Sequence, residues 1–151
     1  MGERTHDSAG CSIFDETGRV LLVHQTYGQK LWHLPGGIAE LGESPWDAAK
    51  RECVEEINID VELGPLSGLY FLSHRNAYVF IFRATKYVGQ PMPDGAEIDQ
   101  WGFFDVNNLP SPMENFTVTR IRDSHGYNGI VTLRDQHVRD YRVGGPDVWS
   151  S

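Results

Sequence analysis

The spacing of apolar and polar residues changes several times along the chain, and each change predicts a different element. Residues 11–14 and 20–23 are short β-prone runs on either side of a turn-like segment, residues 15–18, and together they predict a hairpin. Helical spacing follows, and β-prone runs then return at residues 59–63, 68–73, 77–85 and 101–104. A second helix is predicted over residues 113–124. This succession predicts an α+β fold with a mixed sheet.

The first helix has recognisable signals at both ends. Ser44 is a favourable N-cap, Pro45 suits the first helical position, and Asp47 stands where a capping-box acid would reach back. Asn58 tolerates the left-handed conformation that commonly closes a helix. These signals predict a helix over residues 45–57.

The composition is that of an ordinary globular chain with a marked negative charge. Its 151 residues are 40% hydrophobic and 23% charged, which suits one domain spanning residues 1–151 with a packed core. The net charge of −8 argues against nucleic-acid polymers and anionic membranes as partners, because both attract cationic surfaces. A phosphorylated substrate would therefore need a bridging metal ion.

The chain carries no signal for secretion or membrane insertion. No apolar run approaches membrane-spanning length and the N-terminal residues are polar, so a cytoplasmic location is the default expectation. Cys11 and Cys53 are expected to be reduced thiols in that compartment. The tail, residues 143–151, contains two glycines and a proline and is expected to be loosely ordered.

Clustered carboxylates on the first predicted helix carry the strongest chemical signal. Glu52, Glu55 and Glu56 fall within an arc of about 100 degrees on an α-helix. Their like charges repel, and two of them lie in the last turn, where the helix dipole disfavours anions. A solvated acidic face is the plain structural interpretation, but a conflict this concentrated is typical of a functional site. A hard divalent cation resolves the conflict, and Mg²⁺ is the natural candidate.

The same segment resembles a known motif. Residues 37–59 closely resemble the Nudix box, with one departure, since Asn58 stands where the family usually has glycine. Asparagine can adopt the left-handed backbone at that position, so the departure is expected to be tolerated. The charged and glycine positions that match are Gly37, Glu43, Arg51, Glu52, Glu55 and Glu56. The resemblance implies an α/β/α sandwich, with the catalytic loop and helix on one side of a mixed sheet.

The resemblance also implies roles for individual residues. The implied ligands of Mg²⁺, or of Mn²⁺ in its place, are Glu52, Glu55, Glu56 and the backbone carbonyl of Gly36. The implied catalytic residues are Glu52, Glu55, Glu97 and Arg51, with Gly37 and Glu43 supporting the site. Glycine allows the backbone to approach a metal or phosphate closely, since no side chain intervenes. Which acid accepts the proton of the attacking water is left open.

Glu97 lies outside the box, in a polar loop ahead of the strand that contains Trp101. Many members of the family place an acid here and bring it over the metal site. A solvated surface acid is the alternative. Asp94 and Asp99 stand nearby and serve as comparisons.

The implied reaction is hydrolysis of a phosphoanhydride bond in a nucleotide-like small molecule, with water as the nucleophile. A MutT-like pyrophosphohydrolase of nucleoside or deoxynucleoside triphosphates is the leading hypothesis, and an ADP-ribose or nucleotide-sugar pyrophosphatase is the alternative. His74 stands where ADP-ribose enzymes have a proline, and Tyr78 only approximates the tyrosine of dinucleoside polyphosphate enzymes. A non-catalytic nucleotide-binding module and an isoprenoid diphosphate isomerase remain open, as do a monomer and a homodimer. Candidate substrate contacts are Tyr27, Trp32, Arg75 and Tyr78.

Overall fold

The computed structural model describes residues 6–144, which form two helices, twelve short strands and one 3-10 turn. In chain order the elements are β1 (Ser8–Ile13), β2 (Val20–Gln25), β3 (Trp32–His33), β4 (Gly36–Ile38), α1 (Pro45–Ile57), β5 (Asp60–Glu62), β6 (Leu66–Leu72), β7 (Ala77–Ala84), β8 (Lys86–Val88), β9 (Ile98–Phe104), β10 (Met113–Glu114), α2 (Asn115–His125), β11 (Thr132–Asp135), the 3-10 turn (Val138–Asp140) and β12 (Val143–Gly144). Neither helix in this range is long and apolar enough to cross a membrane.

A five-stranded mixed sheet with the order β11-β6-β7-β1-β4 forms the centre of the fold. Strand β7 lies between β6, which runs antiparallel to it, and β1, which runs parallel to it. Parallel pairing of β11 with β6 and antiparallel pairing of β4 with β1 complete this sheet. The predicted mixed sheet is therefore confirmed. A second, smaller sheet has the order β3-β2-β9.

The predicted hairpin between β1 and β2 is wrong, although the turn between them is present. The Asp15 carboxylate accepts the backbone N–H groups of Thr17 and Arg19 and closes this turn. Beyond a single bridge between Phe14 and Val20, β1 pairs with β7 while β2 pairs with β9. Successive side chains of β2 enter two different hydrophobic cores. A strand buried on both faces gains more from joining a second sheet than from extending an isolated two-stranded ribbon.

Two hydrophobic cores lie on opposite faces of the central sheet, and one helix covers each. The first core contains Cys11 and Phe82 of the sheet together with Cys53 of α1, and both cysteines are buried free thiols. The second core contains Ile81 of the sheet and Ile121 of α2. Because Ile81 and Phe82 are neighbours on one strand, their side chains point to opposite faces. The helices therefore sandwich the sheet, as the resemblance implied.

Helix α1 begins and ends at the predicted residues. The Ser44 hydroxyl accepts the backbone N–H of Asp47 at 3.1 Å and caps the first turn. Asn58 closes the helix in the left-handed region, with a φ of 63°, and its N–H donates to the carbonyl of Val54 at 3.1 Å. Asparagine thus takes the backbone conformation that glycine takes in the usual motif.

The second helix begins two residues later than predicted, because Met113 and Glu114 form β10 and pair with β12. Met113 is fully buried, which anchors this short strand ahead of α2. Val143 and Gly144, the first two residues of the predicted loosely ordered tail, pair with β10. Residues 145–151, the rest of that predicted tail, lie outside the described residues.

Candidate active site

Four carboxylates line one cleft of about 340 Å³, called the acidic cleft below: that of Glu40, in the loop before α1, and a group of three, those of Glu52, Glu56 and Glu97. Glu52 and Glu56 belong to α1, whereas Glu97 belongs to the loop that precedes β9. Tyr27 lines the same cleft. Burial raises the pKa of the Tyr27 phenol, and the charges of the three acids raise it further. All three carboxylates therefore act electrostatically on one point in the cleft.

Glu56 is the most deeply buried of the three, with 5% of its surface exposed. Its Oε1 accepts the backbone N–H of Gly36 at 2.8 Å, which ties α1 to β4. Burial raises the pKa of Glu56 to about 8. The hydrogen bond from Gly36 lowers this pKa, whereas the negative charges of Glu52, Glu97 and Asp94 raise it further. Ionising this carboxyl among its acidic neighbours is unfavourable unless a cation stands beside it.

Gly37 leaves room for the Glu52 carboxylate. A methyl group at Gly37 would lie 2.5 Å from Glu52 Oε1, and one at Gly36 would lie 2.5 Å from the carbonyl oxygen of Ala9. Gly36 is therefore required by a backbone contact, whereas a side chain at Gly37 would force the Glu52 carboxylate to shift. The close approach of both glycines to a metal or phosphate stays a prediction. Burial raises the pKa of Glu52, while the charge of Arg51 lowers it.

Arg51 holds the acids of the loop and helix together. Its Nε and Nη2 donate to the two carboxylate oxygens of Glu43 at 2.8 and 3.0 Å, as a bidentate pair. Its Nη1 donates to Glu52 and to Glu55, each at 3.1 Å, and Nη2 also reaches the carbonyl of Ile38 at 3.3 Å. The hydrogen bonds between them raise the pKa of Arg51 and lower that of Glu43. The pairing of Arg51 with Glu43 and with Glu55 is thus present.

Replacing Arg51 with lysine is expected to lower the free energy of unfolding by roughly 1 to 3 kcal/mol, the range for hydrogen bonds to charged groups. A lysine ammonium keeps the charge but cannot hold Glu43 bidentately while reaching the helix acids. Urea unfolding followed by tryptophan fluorescence measures the change. Arg19→Lys is the matched control, because Arg19 is 53% exposed where it pairs with Asp15, and it should cost less than about 1 kcal/mol. Equal losses in the two variants would contradict an organising role for Arg51.

The side chains that face the acidic cleft offer carboxylate oxygens, which are the ligands that Mg²⁺ prefers. Glu55 is 56% exposed, is held by Arg51 and does not line the cleft. Among residues 6–144, no three acidic, histidine or cysteine side chains are close enough together to hold a metal ion by themselves. Backbone carbonyls, water or substrate phosphate would complete the shell, as is usual for Mg²⁺. Buried carboxyl groups with raised pKa values fit such a cation, because it would favour their charged form.

A second cleft of about 370 Å³, called the adjacent cleft below, opens beside the first. The residues that line both clefts are Tyr27, Gly36, Gly37 and Ile38. Arg75, a predicted substrate contact, lines the adjacent cleft together with Glu114 and Arg120, which the sequence does not single out. Arg120 donates through two nitrogens to the Gln136 side chain, and burial lowers its pKa. The combined groove therefore has clustered acids with Arg51 at one end, and two arginines with Glu114 at the other.

The other two predicted substrate contacts, Trp32 and Tyr78, lie outside both clefts. Trp32 packs edge-to-face against Phe104, with ring centroids 5.1 Å apart. Tyr78 packs against Phe71 at a centroid distance of 5.1 Å. The structure thus brings two of the four candidates to the groove and places the other two in aromatic packing contacts.

The three acids of the loop before and at the start of β9 have different surroundings. Glu97 lines the acidic cleft. Asp94 Oδ1 accepts the backbone N–H groups of residues 96–98 at 2.9 to 3.0 Å and so shapes the loop. Asp99 lies 2.7 Å from Nδ1 of His24. Asp94 is therefore a loop-forming residue, and only Asp99 remains a suitable comparison for Glu97.

His33 lies next to one of these acids, although the spacing of residues along the sequence does not predict this. Its Nδ1 hydrogen-bonds with the carbonyl of Leu34, while its Nε2 lies 4.0 Å from Glu56 Oε2 and has no hydrogen-bond partner among the described residues. Burial lowers the pKa of His33 to about 4, so the ring is neutral at neutral pH. The approach of His33 to Glu56 joins β3 to α1, and no motif within one segment of the sequence predicts it.

Residues 4–123 match the NUDIX domain. A MutT-like protein from Streptomyces ambofaciens is 38% identical over 77 residues, covering 51% of this chain and 49% of that protein. The match thus spans about half the length of that relative. An RNA pyrophosphohydrolase from Bartonella henselae is 31% identical over 140 residues, covering 72% of this chain and 81% of that protein. An oxidized purine nucleoside triphosphate hydrolase from Danio rerio is 32% identical over 101 residues, covering 63% of this chain and 61% of that protein.

Solved structures share the fold at lower identity. A NUDIX hydrolase from Nitrosomonas europaea superimposes with a TM-score of 0.73 at 23% identity, covering 91% of this chain and 81% of that chain. An ADP-ribose pyrophosphatase from Streptococcus suis superimposes with a TM-score of 0.65 at 22% identity, covering 87% of this chain and 98% of that chain. Identities this low show a common fold and do not distinguish between substrates.

Proposed function

Because the chain belongs to the Nudix family, whose domain matches residues 4–123, we propose that it is a Mg²⁺-dependent hydrolase of phosphoanhydride bonds in nucleotide-like small molecules. The leading substrates are nucleoside and deoxynucleoside triphosphates, cleaved to a nucleoside monophosphate and pyrophosphate. The names of the Danio rerio and Bartonella henselae relatives support a triphosphate or pyrophosphate-releasing reaction.

Four residues line both the acidic cleft and the adjacent cleft, and this is the observation that carries the proposed function. A phosphate chain lying over Glu52 and Glu56 would leave the rest of a nucleotide in the adjacent cleft, beside Arg75 and Arg120. The two clefts measure about 340 and 370 Å³, and together they suit a ligand of nucleotide size. The arginines would offset the charge of an anionic substrate in a chain whose net charge is −8.

The proposed metal ligands are Glu52, Glu55, Glu56 and the carbonyl of Gly36. Bound Mg²⁺ supplies charge neutralisation at the phosphate oxygens. Arg51 orients Glu52 through its hydrogen bond to Oε1. Glu97 stands on a loop and is not engaged by Arg51, so its carboxylate is available to accept a proton from the attacking water.

A substrate panel tests this function. Ribo- and deoxynucleoside triphosphates, ADP-ribose, a nucleotide sugar, isopentenyl diphosphate and AMP are each incubated with the protein and Mg²⁺ or Mn²⁺, and the products are separated by ion-exchange chromatography. We expect the highest kcat/KM for a triphosphate, with nucleoside monophosphate and pyrophosphate as products, and no reaction in EDTA.

Each of the other outcomes would assign a different function to this chain. A preference for ADP-ribose or the nucleotide sugar would support the alternative substrate class on the same catalytic groups. Preferential cleavage of AMP, a phosphomonoester, would contradict phosphoanhydride hydrolysis. Isomerisation of isopentenyl diphosphate, or saturable nucleotide binding without any product, would assign the fold to an isomerase or to a binding module.

A further inference from the structure

Arg83 projects from β7 on the side of the sheet away from α1. Its neighbours Phe82 and Ala84 pack into the core beneath α1, so strand alternation directs the Arg83 side chain to the face that α2 covers. Its backbone is paired, because its N–H donates to Pro65 at 2.9 Å and its carbonyl accepts the N–H of Gly64 at 2.7 Å. Among the described residues, the Arg83 side chain has no hydrogen-bond or ion-pair partner.

The Arg83 guanidinium lies over two aromatic rings, and within the described part of the chain its side chain forms no hydrogen bond. Its central carbon lies 4.8 Å from the centroid of the Phe14 ring and 5.9 Å from that of Tyr127. Within residues 6–144 the buried Nε has no acceptor, and no carboxylate lies within 4.0 Å of the group. A cation over a ring face is attracted to the ring but gains no acceptor for its N–H donors. Aromatic packing therefore explains the position of the guanidinium but not its unused donors.

Arg83 and Tyr127 line a cleft of about 400 Å³, called the Arg83 cleft below. This cleft shares no lining residue with the acidic or the adjacent cleft. Lys86 and the hydroxyl-bearing Thr85 also line it. Glu62 is the acid in the wall, and it lies 4.0 Å from the ammonium of Lys86. The acid is thus paired with lysine, and the charge of Arg83 remains uncompensated.

We propose that the Arg83 cleft binds the phosphate group of a small anion, either free phosphate or a phosphate monoester. Arg83 brings to this cleft a positive charge without a carboxylate partner among residues 6–144, and phosphate oxygens can accept hydrogen bonds from the edge of a guanidinium. Thr85 adds a hydroxyl donor, while the charge of Lys86 is offset by Glu62. The site is independent of the proposed hydrolysis, since neither cleft of the catalytic groove contributes to it.

Titration of ¹⁵N-labelled protein with inorganic phosphate tests this site. The titration is run in EDTA, so that no metal ion holds phosphate at the acidic cleft, with chloride exchanged to keep ionic strength constant. We expect saturable shifts of the Arg83 side-chain Nε–H resonance and of the Thr85 and Lys86 amides, with a Kd in the millimolar range. Parallel titration with AMP distinguishes the two sources, because tighter binding at the same resonances identifies a phosphate monoester.

Arg83→Met keeps the apolar stem between the rings and removes the donors, so affinity should fall by about ten-fold or more. Arg139→Gln removes the same charge from a side chain that is 76% exposed and should bind phosphate as the wild type does. Arg83→Lys tests the site if the methionine variant fails to fold, since it keeps the charge without the planar edge and should bind more weakly. Absence of saturable shifts in the wild type, or equal affinity in the Arg83 variants, would overturn the proposal.

Discussion

Replacing Glu56 with glutamine is expected to lower kcat by about a hundred- to a thousand-fold, the effect of removing one group that stabilises transition-state charge. It should also abolish the rise in Tm that Mg²⁺ produces in the wild-type protein, because a ligand stabilises only the folded state that binds it. Glutamine keeps an oxygen able to accept the Gly36 N–H, which lies 2.8 Å from Glu56 Oε1, so the contact between α1 and β4 survives. What is lost is the negative charge that, together with Glu52, would hold a divalent cation.

The stability of this variant separates a ligand role from a structural one. Because Glu56 is buried beside other acids, its removal should leave the unfolding free energy in EDTA equal to or above that of the wild type. Glu62→Gln is the matched control, since Glu62 is 71% exposed and loses the same charge without affecting turnover or the Mg²⁺ response. A Mg²⁺-dependent rise in Tm that persists in Glu56→Gln, or wild-type turnover that is unchanged in excess EDTA, would refute the metal site.

Replacing Glu97 with glutamine is expected to lower kcat by roughly ten-fold to a thousand-fold, the order expected for the loss of one acid–base or ligand group. Tm should hardly change, because the residue is exposed and no hydrogen bond of its side chain holds the fold. A loop acid can move with substrate binding and act only when the site closes. Steady-state kinetics with the best substrate of the panel, at saturating Mg²⁺, measure the effect.

Asp99→Asn is the control for Glu97, because Asp99 is an exposed acid paired with His24 and does not line the acidic cleft. Asp94→Asn is unsuitable, since Asp94 accepts three backbone N–H groups and its replacement would disturb the loop that presents Glu97. If Glu97→Gln stays within a factor of about two of the wild type, a difference under about half a kcal/mol, Glu97 is a surface residue. Proton transfer must then rest with the acids of α1.

Features that depend on neighbouring residues followed from the sequence alone. The cap at Ser44 and the left-handed Asn58 act within one turn, so the bounds of α1 were predicted correctly. Helical periodicity placed Glu52 and Glu56 on one side of the helix, and both line the acidic cleft. The pairing of Arg51 with Glu43 could also be anticipated, because the Nudix box places both residues in one continuous segment.

Features that join distant segments were decided only by the tertiary structure. The turn at residues 15–18 is local, but whether its flanking strands pair or diverge depends on β7 and β9, which lie far along the chain. Tertiary packing also decides the lining of the groove. Glu97 lies in the same cleft as the α1 acids because of where β9 packs, and Arg120 lines the same cleft as Arg75 because of where α2 packs. Residue spacing reports which side chains share a face of one element, whereas burial and pairing energies select which faces meet. The sequence therefore determined which acids α1 presents on one side, and tertiary packing determined the groove and the separate Arg83 cleft.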